Sequence, residues 1–247
     1  MVLILKMNLI IDVGNSYIKL AVFQQDELIV KKVLKSEVLI EQVDILRSKN
    51  NIDKAILSSV GKLKETELAY LRKYFDLVEL NSTTVVPFVN LYKTPHTLGL
   101  DRIALVSASI KQFPSNNVLI IDAGTCITYD FVTSNNEYLG GAISPGITMR
   151  YKSLNNLTAN LPLLEKEVPK SIIGNSTNQS IHSGVINGIL KEIDGNIETY
   201  QNKYSNLTVI LTGGDSNFLS KQLKSSIFAN SNFLLEGLNY ILQINSN

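Results

Sequence analysis

The chain is predicted to be an α/β protein of two similar halves, each a mixed sheet flanked by helices. Two observations carry this prediction. The first is a repeat: Leu9-Ile10-Ile11-Asp12-Val13-Gly14-Asn15-Ser16 returns as Leu119-Ile120-Ile121-Asp122-Ala123-Gly124-Thr125-Cys126. The second is that runs of strand length alternate with stretches of helical period in both halves. In each copy of the repeat an apolar run ends in a lone carboxylate, then a Gly, then a hydroxyl or amide side chain, with alternating residues after it. That pattern is a strand, a tight turn and a return strand. It suits a phosphate and its metal, because Asp can hold a hydrated cation, Gly lets backbone N–H groups approach, and the hydroxyl donates a hydrogen bond. Used twice, the device could grip one nucleotide from both sides.

In the first half, residues 8 to 13, 17 to 23 and 27 to 34 read as successive antiparallel strands, with a turn at Gln24-Gln25-Asp26. Residues 37 to 49 read as a helix, 55 to 60 as a short buried strand, 64 to 75 as a helix and 77 to 80 as a strand. From Asn81 to Leu100 two prolines and several turn formers replace the periodic apolar positions, which predicts a long functional loop. A helix over 101 to 113 follows, and Pro114-Ser115-Asn116-Asn117 reads as the junction between domains 7–115 and 116–247.

The second half restarts the meander with strands at 118 to 122, 126 to 132 and 137 to 143, the middle turn falling at Ser134-Asn135-Asn136. Helices over about 146 to 160 and 178 to 202, a strand at 208 to 212, and helices near 216 to 226 and 233 to 243 complete the pattern. In the longest helix Ile181, Val185, Ile189, Ile193 and Ile197 recur every four residues, while Gly184 and Gly188 would let a neighbouring helix approach closely. This stripe reads as intramolecular core or as a subunit interface.

Composition narrows the function classes. At 247 residues the chain could form one large domain or two, burying roughly three quarters of its unfolded surface, and the repeat favours two. A net charge of +1 gives no electrostatic argument for nucleic acid or an anionic membrane, so a small-molecule partner is expected. The single cysteine, Cys126, excludes an internal disulfide and a Cys-based zinc site, and a cytoplasmic, reducing compartment fits. Met1 to Lys6 lacks a basic leader and a cleavage site, so no signal peptide is expected, and Met7 is an alternative start. No apolar run is long enough to span a bilayer. The Asn-x-Ser/Thr triplets then reflect an Asn-rich composition rather than glycosylation.

Familiar phosphate devices are missing. Gly61-Lys62 lacks the upstream glycine of a Walker A loop, and no Gly-x-Gly-x-x-Gly follows a strand. A strand-turn-strand with Asp-x-Gly-(Asn/Thr), found twice, resembles instead the sugar kinase, heat-shock chaperone ATPase and actin superfamily. Its two ribonuclease-H-like domains close over ATP. The likeness goes further. Tyr92-Lys93-Thr94-Pro95-His96-Thr97-Leu98-Gly99-Leu100-Asp101-Arg102, then Asp122-Ala123-Gly124-Thr125, then Gly140-Gly141-Ala142-Ile143-Ser144-Pro145-Gly146 resemble, in order and spacing, the type III pantothenate kinases.

That resemblance covers the chain from Asn8 to about Leu242 and implies a function and a site. ATP phosphates would lie on the first turn, Asp12, Val13, Gly14, Asn15, Ser16, Tyr17, Ile18 and Lys19, with Thr125 a further ATP contact. Tyr92 and Gly99, Leu100, Asp101 and Arg102 would hold pantothenate, Asp101 matching the family's proton acceptor. Asp122 matches the ligand of a monovalent cation, K⁺ or NH₄⁺. Thr177 matches a position that reaches the pantothenate pocket of the other subunit, so a homodimer is implied. Gly213-Gly214-Asp215 resembles the segment near the adenosine. Ser16 stands where the family often has Thr, and Cys126 where a small residue is common.

The chemistry is consistent with these residue types. Phosphoryl transfer needs an in-line γ-phosphate, an oriented hydroxyl and positive charge on the developing equatorial oxygens. Mg²⁺ keeps several waters and needs only one or two carboxylates such as Asp12. Arg102 can pair bidentately with a carboxylate, which pantothenate carries.

Each residue also has a plainer reading. Asp101 could be a helix cap, and Asp12 and Asp122 turn-stabilising Asx residues. Arg102 could be a solvated helix charge and Tyr92 a half-buried aromatic. His96 and His182 lack metal-ligand spacing and read as solvated or packing histidines. Cys126 reads as a small buried hydrophobe. The expected function is phosphorylation of pantothenate to 4′-phosphopantothenate, the first step towards coenzyme A, with no nucleic-acid or membrane partner. Its rivals are another small-molecule kinase of the superfamily, such as a sugar or acetate kinase, and a non-catalytic nucleotide-binding accessory factor of gene expression.

Overall fold

The computed structural model describes residues 6–14, 17–59 and 63–246. Two compact units divide the chain: one holds the residues up to Gln112 together with those from Asn232 onward, the other Phe113–Ser231.

In the first unit, three strands form a meander, β1 (Met7–Val13), β2 (Ile18–Gln24) and β3 (Glu27–Leu34), and the chain continues through α1 (Leu39–Lys49), β4 (Ile52–Ser59), α2 (Glu65–Tyr74) and β5 (Asp76–Glu79). The sheet order is β3-β2-β1-β4-β5, antiparallel within the meander and parallel from β1 through β4 to β5. The loop predicted after residue 80 carries only the two-residue β6 (Val89–Asn90) and a 3₁₀ turn at Pro95–Thr97 before α3 (Leu100–Gln112).

The second unit repeats this plan. Its meander is β7 (Asn117–Ala123), β8 (Cys126–Val132) and β9 (Glu137–Pro145), followed by α4 (Ile147–Asn156), α5 (Thr177–His182), α6 (Gly188–Lys203), β10 (Leu207–Thr212), α7 (Ser216–Leu219) and β11 (Phe228–Ala229). Within the unit the strands run β9-β8-β7-β10-β11, again antiparallel in the meander and parallel beyond β7. The octapeptide repeat is thus a repeat of whole ribonuclease-H-like topology, with Asp12 and Asp122 at matching ends of the central strands.

Strand alternation explains the cores. Leu9, Ile11 and Val13 of β1 pack with Leu39, Val43 and Leu46 of α1 and Leu71 of α2. In the second unit Leu119, Ile121 and Ala123 pack with Ile181, Val185, Ile189, Ile193 and Ile197. Each such side chain, when fully buried, contributes about 1.5–3 kcal/mol. The intervening residues of β1 face the other way, where Asn8 Nδ2 donates to Asn239 Oδ1 at 2.9 Å on the last helix, α8 (Phe233–Asn245).

That helix departs from the expected boundary at 115/116. Position in the chain places 233–243 with the second half, yet α8 lies in the first unit against α3, β1 and β4. Its buried residues Phe233, Leu234, Leu235, Leu238, Ile241 and Leu242 occupy more than one face, as a helix between layers requires. A Cβ at Gly237 would stand 1.9 Å from Ala104 O, so glycine permits this close crossing of α3.

Other differences are local. The long helix predicted over 178–202 is interrupted by a π-helical segment at Ser183–Asn187. The apolar stripe does face the core, but an added Cβ at Gly184 or Gly188 would meet no atom within 4 Å, so nothing described in this chain uses the close approach those glycines allow. α4 ends at Asn156 rather than 160, and α7 is one turn rather than 216–226, although Leu223 and Ile227 beyond it still pack against the core. β4 begins at Ile52, three residues earlier than expected, because pairing with Met7 and Asn8 extends a strand whose Asp53-Lys54 hides the apolar pattern. The expected strand end at Val60, and Gly61-Lys62, lie outside the described residues.

Candidate active site

In the first unit β1 carries Asp12 to the end of the central strand, where its side chain is 6% exposed. Lys19, its antiparallel partner on β2, places Nζ 3.2 Å from Asp12 Oδ2. Burial raises the Asp12 pKa most, the Lys19 charge and hydrogen bond oppose that rise, and the negative charge of Asp101 adds to it. Gly14 closes the turn by donating its N–H to Tyr17 O at 3.1 Å, and Tyr17 projects outward, 56% exposed. Val13 and Ile18 turn their side chains into the core and offer a ligand only backbone. Asn15 and Ser16 lie outside the described residues.

Asp101 stands in the first turn of α3, where Oδ1 accepts the Arg102 N–H at 2.8 Å. That contact is of the capping kind the plainer reading expects. Gly99 makes room for it, since a Cβ there would lie 2.3 Å from Asp101 Oδ1. Arg102 is not the solvated charge of the plainer reading. It is 5% exposed, and its guanidinium carbon lies 5.4 Å from the centre of the Tyr92 ring. Leu100 and Gly99 are half-buried beside it.

Two neighbours of this turn were missed in the sequence. Ser58, in register with Asp12 on the parallel strand β4, is fully buried. Lys31 of β3 donates to Asn232 Oδ1 at 2.6 Å, and its pKa is lowered first by burial and then by the charge of Lys19, so a second cation stands near the first. Both follow from strand register, which connects residues far apart in sequence.

The second unit repeats the arrangement. Asp122 ends β7 with Thr128 as antiparallel partner and the buried Thr212 as parallel partner, the positions held by Lys19 and Ser58 around Asp12. Gly124 N–H donates to Cys126 O at 2.9 Å and Thr125 is exposed at the tip. Gly146 N–H donates to Thr125 O at 3.1 Å, and a Cβ there would sit 2.3 Å from Gly124 O, so Pro145-Gly146 braces the turn. Gly213, at φ +93°, brings the 213–215 loop so close that a Cβ would stand 2.3 Å from Asp122 Oδ1. Asp215 N–H donates to Ala123 O at 2.9 Å, tying the segment expected near adenosine to the Asp122–Thr125 turn.

Thr177 is placed elsewhere in this unit. It opens α5 and lines a groove of about 830 Å³ with Arg150, Leu154, Leu161, Ile181 and Val185, a lining that includes neither Asp122 nor Thr125. Cys126 is half-buried rather than buried. His182 packs, its Nδ1 2.8 Å from the Tyr151 hydroxyl, and His96 is exposed. Among the described residues no three His, Cys, Asp or Glu side chains cluster to hold a metal, and no helix is long and apolar enough to cross a membrane. A cation at either aspartate would complete its shell with phosphate, water or backbone oxygens.

Comparison with known proteins identifies the fold and the family. Solved structures share the fold: a Campylobacter jejuni protein assigned to the Baf family of transcriptional activators superposes at TM-score 0.61 with 24% identity, covering 96% of this chain and 98% of that one. A glucokinase from Streptomyces griseus superposes at 0.54 with 9% identity, covering 97% and 99%. Sequence relatives lie much nearer. Type III pantothenate kinases from Christiangramia forsetii and Flavobacterium psychrophilum are 54% and 51% identical, over 97% and 96% of this chain and 99% of each relative. A family model described as type III pantothenate kinase matches residues 8–199. On that extent of match, the chain belongs to the type III pantothenate kinase family.

Proposed function

We propose that this enzyme transfers the γ-phosphoryl group of ATP to the primary hydroxyl of pantothenate, giving 4′-phosphopantothenate and ADP, the first step towards coenzyme A. The observation that carries the reading is Asp101 beside the buried, Tyr92-stacked Arg102, in the same unit as the Asp12–Lys19 turn. Arg102 binds the pantothenate carboxylate. Asp101 accepts the hydroxyl proton as the oxygen attacks the γ-phosphorus and the bond to the β-phosphate oxygen breaks, releasing ADP. Lys19 offers positive charge to the phosphates, backbone N–H groups of the first turn hold them, and Thr125 is a further ATP contact.

Mg²⁺, when bound, neutralises the β- and γ-oxygens. A buried carboxylate whose charge is only partly compensated by Lys19 fits a hydrated cation at Asp12. Asp122, with the hydroxyl-bearing Thr128 and Thr212 as strand partners and the 213 backbone pressed against its carboxylate, fits K⁺ or NH₄⁺. Two copies are expected from the match at Thr177, and exposed Leu157, Ile172 and Ile173 in the same unit are compatible with a covered face; light scattering of the purified protein checks that state. One free cysteine is compatible with action in the cytoplasm.

The test is ADP release by the purified protein with ATP, MgCl₂ and KCl, across pantothenate, hexoses and acetate. Turnover confined to pantothenate is expected. Turnover of a sugar or of acetate instead, or nucleotide binding with no turnover of any acceptor, would overturn the reading.

A further inference from the structure

Leu157 to Ser176 form neither helix nor strand, a length that compact domains reserve for functional segments. The segment is nevertheless pinned. Asn155 Nδ2 donates to Leu161 O at 2.7 Å and Ser183 Oγ to Ile172 O at 2.6 Å. Between those pins Lys166 Nζ pairs with Asp215 Oδ1 and lies 5.4 Å from the centre of the Phe218 ring.

Asp215 is the last residue of the loop that rests on the second phosphate turn, with its own N–H on Ala123 O and Gly213 against Asp122. Its side chain is only 15% exposed. A carboxylate held there would repel a polyphosphate unless a cation neutralised it, and Lys166 is the cation that does so. We propose that Lys166 is a positioning residue for the nucleotide: it clamps the Gly213–Asp215 loop onto the second turn and cancels the Asp215 charge. The inference rests on the reading of these two segments as nucleotide-binding.

A structural role alone makes a different forecast. The Lys166 side chain is 39% exposed, and an ion pair open to water on one side adds little stability. Removing the charge should then change neither folding nor nucleotide affinity. Under the proposal the loss falls on the nucleotide.

The experiment uses the full chain and an ATP analogue with a non-hydrolysable β–γ bridge, titrated calorimetrically with Mg²⁺ present. Lys166→Met keeps the apolar stem over Phe218 and loses the charge, while Lys166→Arg keeps it. Lys166→Met should weaken the analogue about 5- to 20-fold, between the worth of exposed and buried charge pairs. The KM for ATP should rise in step, with kcat and the KM for pantothenate unchanged. Lys166→Arg should bind within about twofold of wild type, and the gap between Met and wild type should narrow at high salt as charges are screened. Unchanged affinity in Lys166→Met, or an equal loss in Lys166→Arg, would overturn the proposal. A wild-type protein that does not bind the analogue would instead overturn the nucleotide reading beneath it.

Discussion

Gly99→Ala separates the position of Asp101 from its mere presence. The added Cβ would stand 2.3 Å from Asp101 Oδ1, whereas real Cβ atoms essentially never come within 3.0 Å of a neighbour, so the carboxylate must retreat by at least 0.7 Å. The obstacle is the tip of a side chain, not backbone, and it can rotate away. Rotation sacrifices the 2.8 Å bond to Arg102 N, a capping contact worth about 1 kcal/mol. Against that, Gly→Ala at a compatible backbone position stabilises by about 0.4–1 kcal/mol through the unfolded chain. Stability should therefore hardly move, and Tm should stay within about 2–4 °C of wild type. Activity should not be spared, because a displacement near 1 Å of a reacting group costs roughly 10² in rate. The assay pairs thermal unfolding with ADP release. A rate within threefold of wild type at unchanged Tm would mean that the Asp101 carboxylate is not where the proton goes. A fall in Tm well beyond 4 °C would mean that more than a side-chain tip is in the way.

Four further outcomes are expected. Asp101→Asn should lower kcat by about 10²–10⁴ with folding intact; a near-normal rate returns Asp101 to capping alone. Asp12→Asn should abolish most activity yet raise stability on the order of 1 kcal/mol at neutral pH, the trade-off of a site residue held at a cost. The sign follows from its raised pKa: the folded state binds the proton more tightly, so the benefit of protonated Asp12 is full below the unfolded value of 3.8 and disappears as pH rises through the folded pKa. The advantage of Asn over Asp in chemical denaturation should thus shrink on acidification, and a constant gap from pH 7 to pH 3.5 would contradict it. Asp122→Ala should erase the response of turnover to KCl, read by titrating K⁺ at fixed ionic strength; an intact response moves the cation elsewhere. Gly237→Ala should destabilise by about 1–3 kcal/mol, the worth of overpacking, because its Cβ would meet the Ala104 carbonyl of α3 rather than a yielding side chain; denaturant midpoints measure it.

Sequence alone determined the repeated unit. Each copy is continuous: apolar strand, Asp, Gly, return strand, with the burial and turn chemistry of neighbouring residues sufficient to write it. The places of Asp12 and Asp122 near the strand ends, and of Asp101 and Arg102 at the start of a helix, were legible for the same reason, since local pattern sets them.

Only the tertiary structure decided what lies across a sheet or between layers. Local period could not say which sheet α8 covers, because a helix apolar on several faces suits either. Nor could it place Ser58 and Thr212 beside the two aspartates, since parallel pairing joins residues separated by a whole crossover. The π-helical segment and the Lys166–Asp215 pair are of this kind: one is a packing adjustment inside an otherwise helical pattern, the other a contact between an irregular segment and a loop 49 residues away. Backbone conformation is set largely by near neighbours in the chain, whereas charge balance and packing are set by whatever the fold brings alongside.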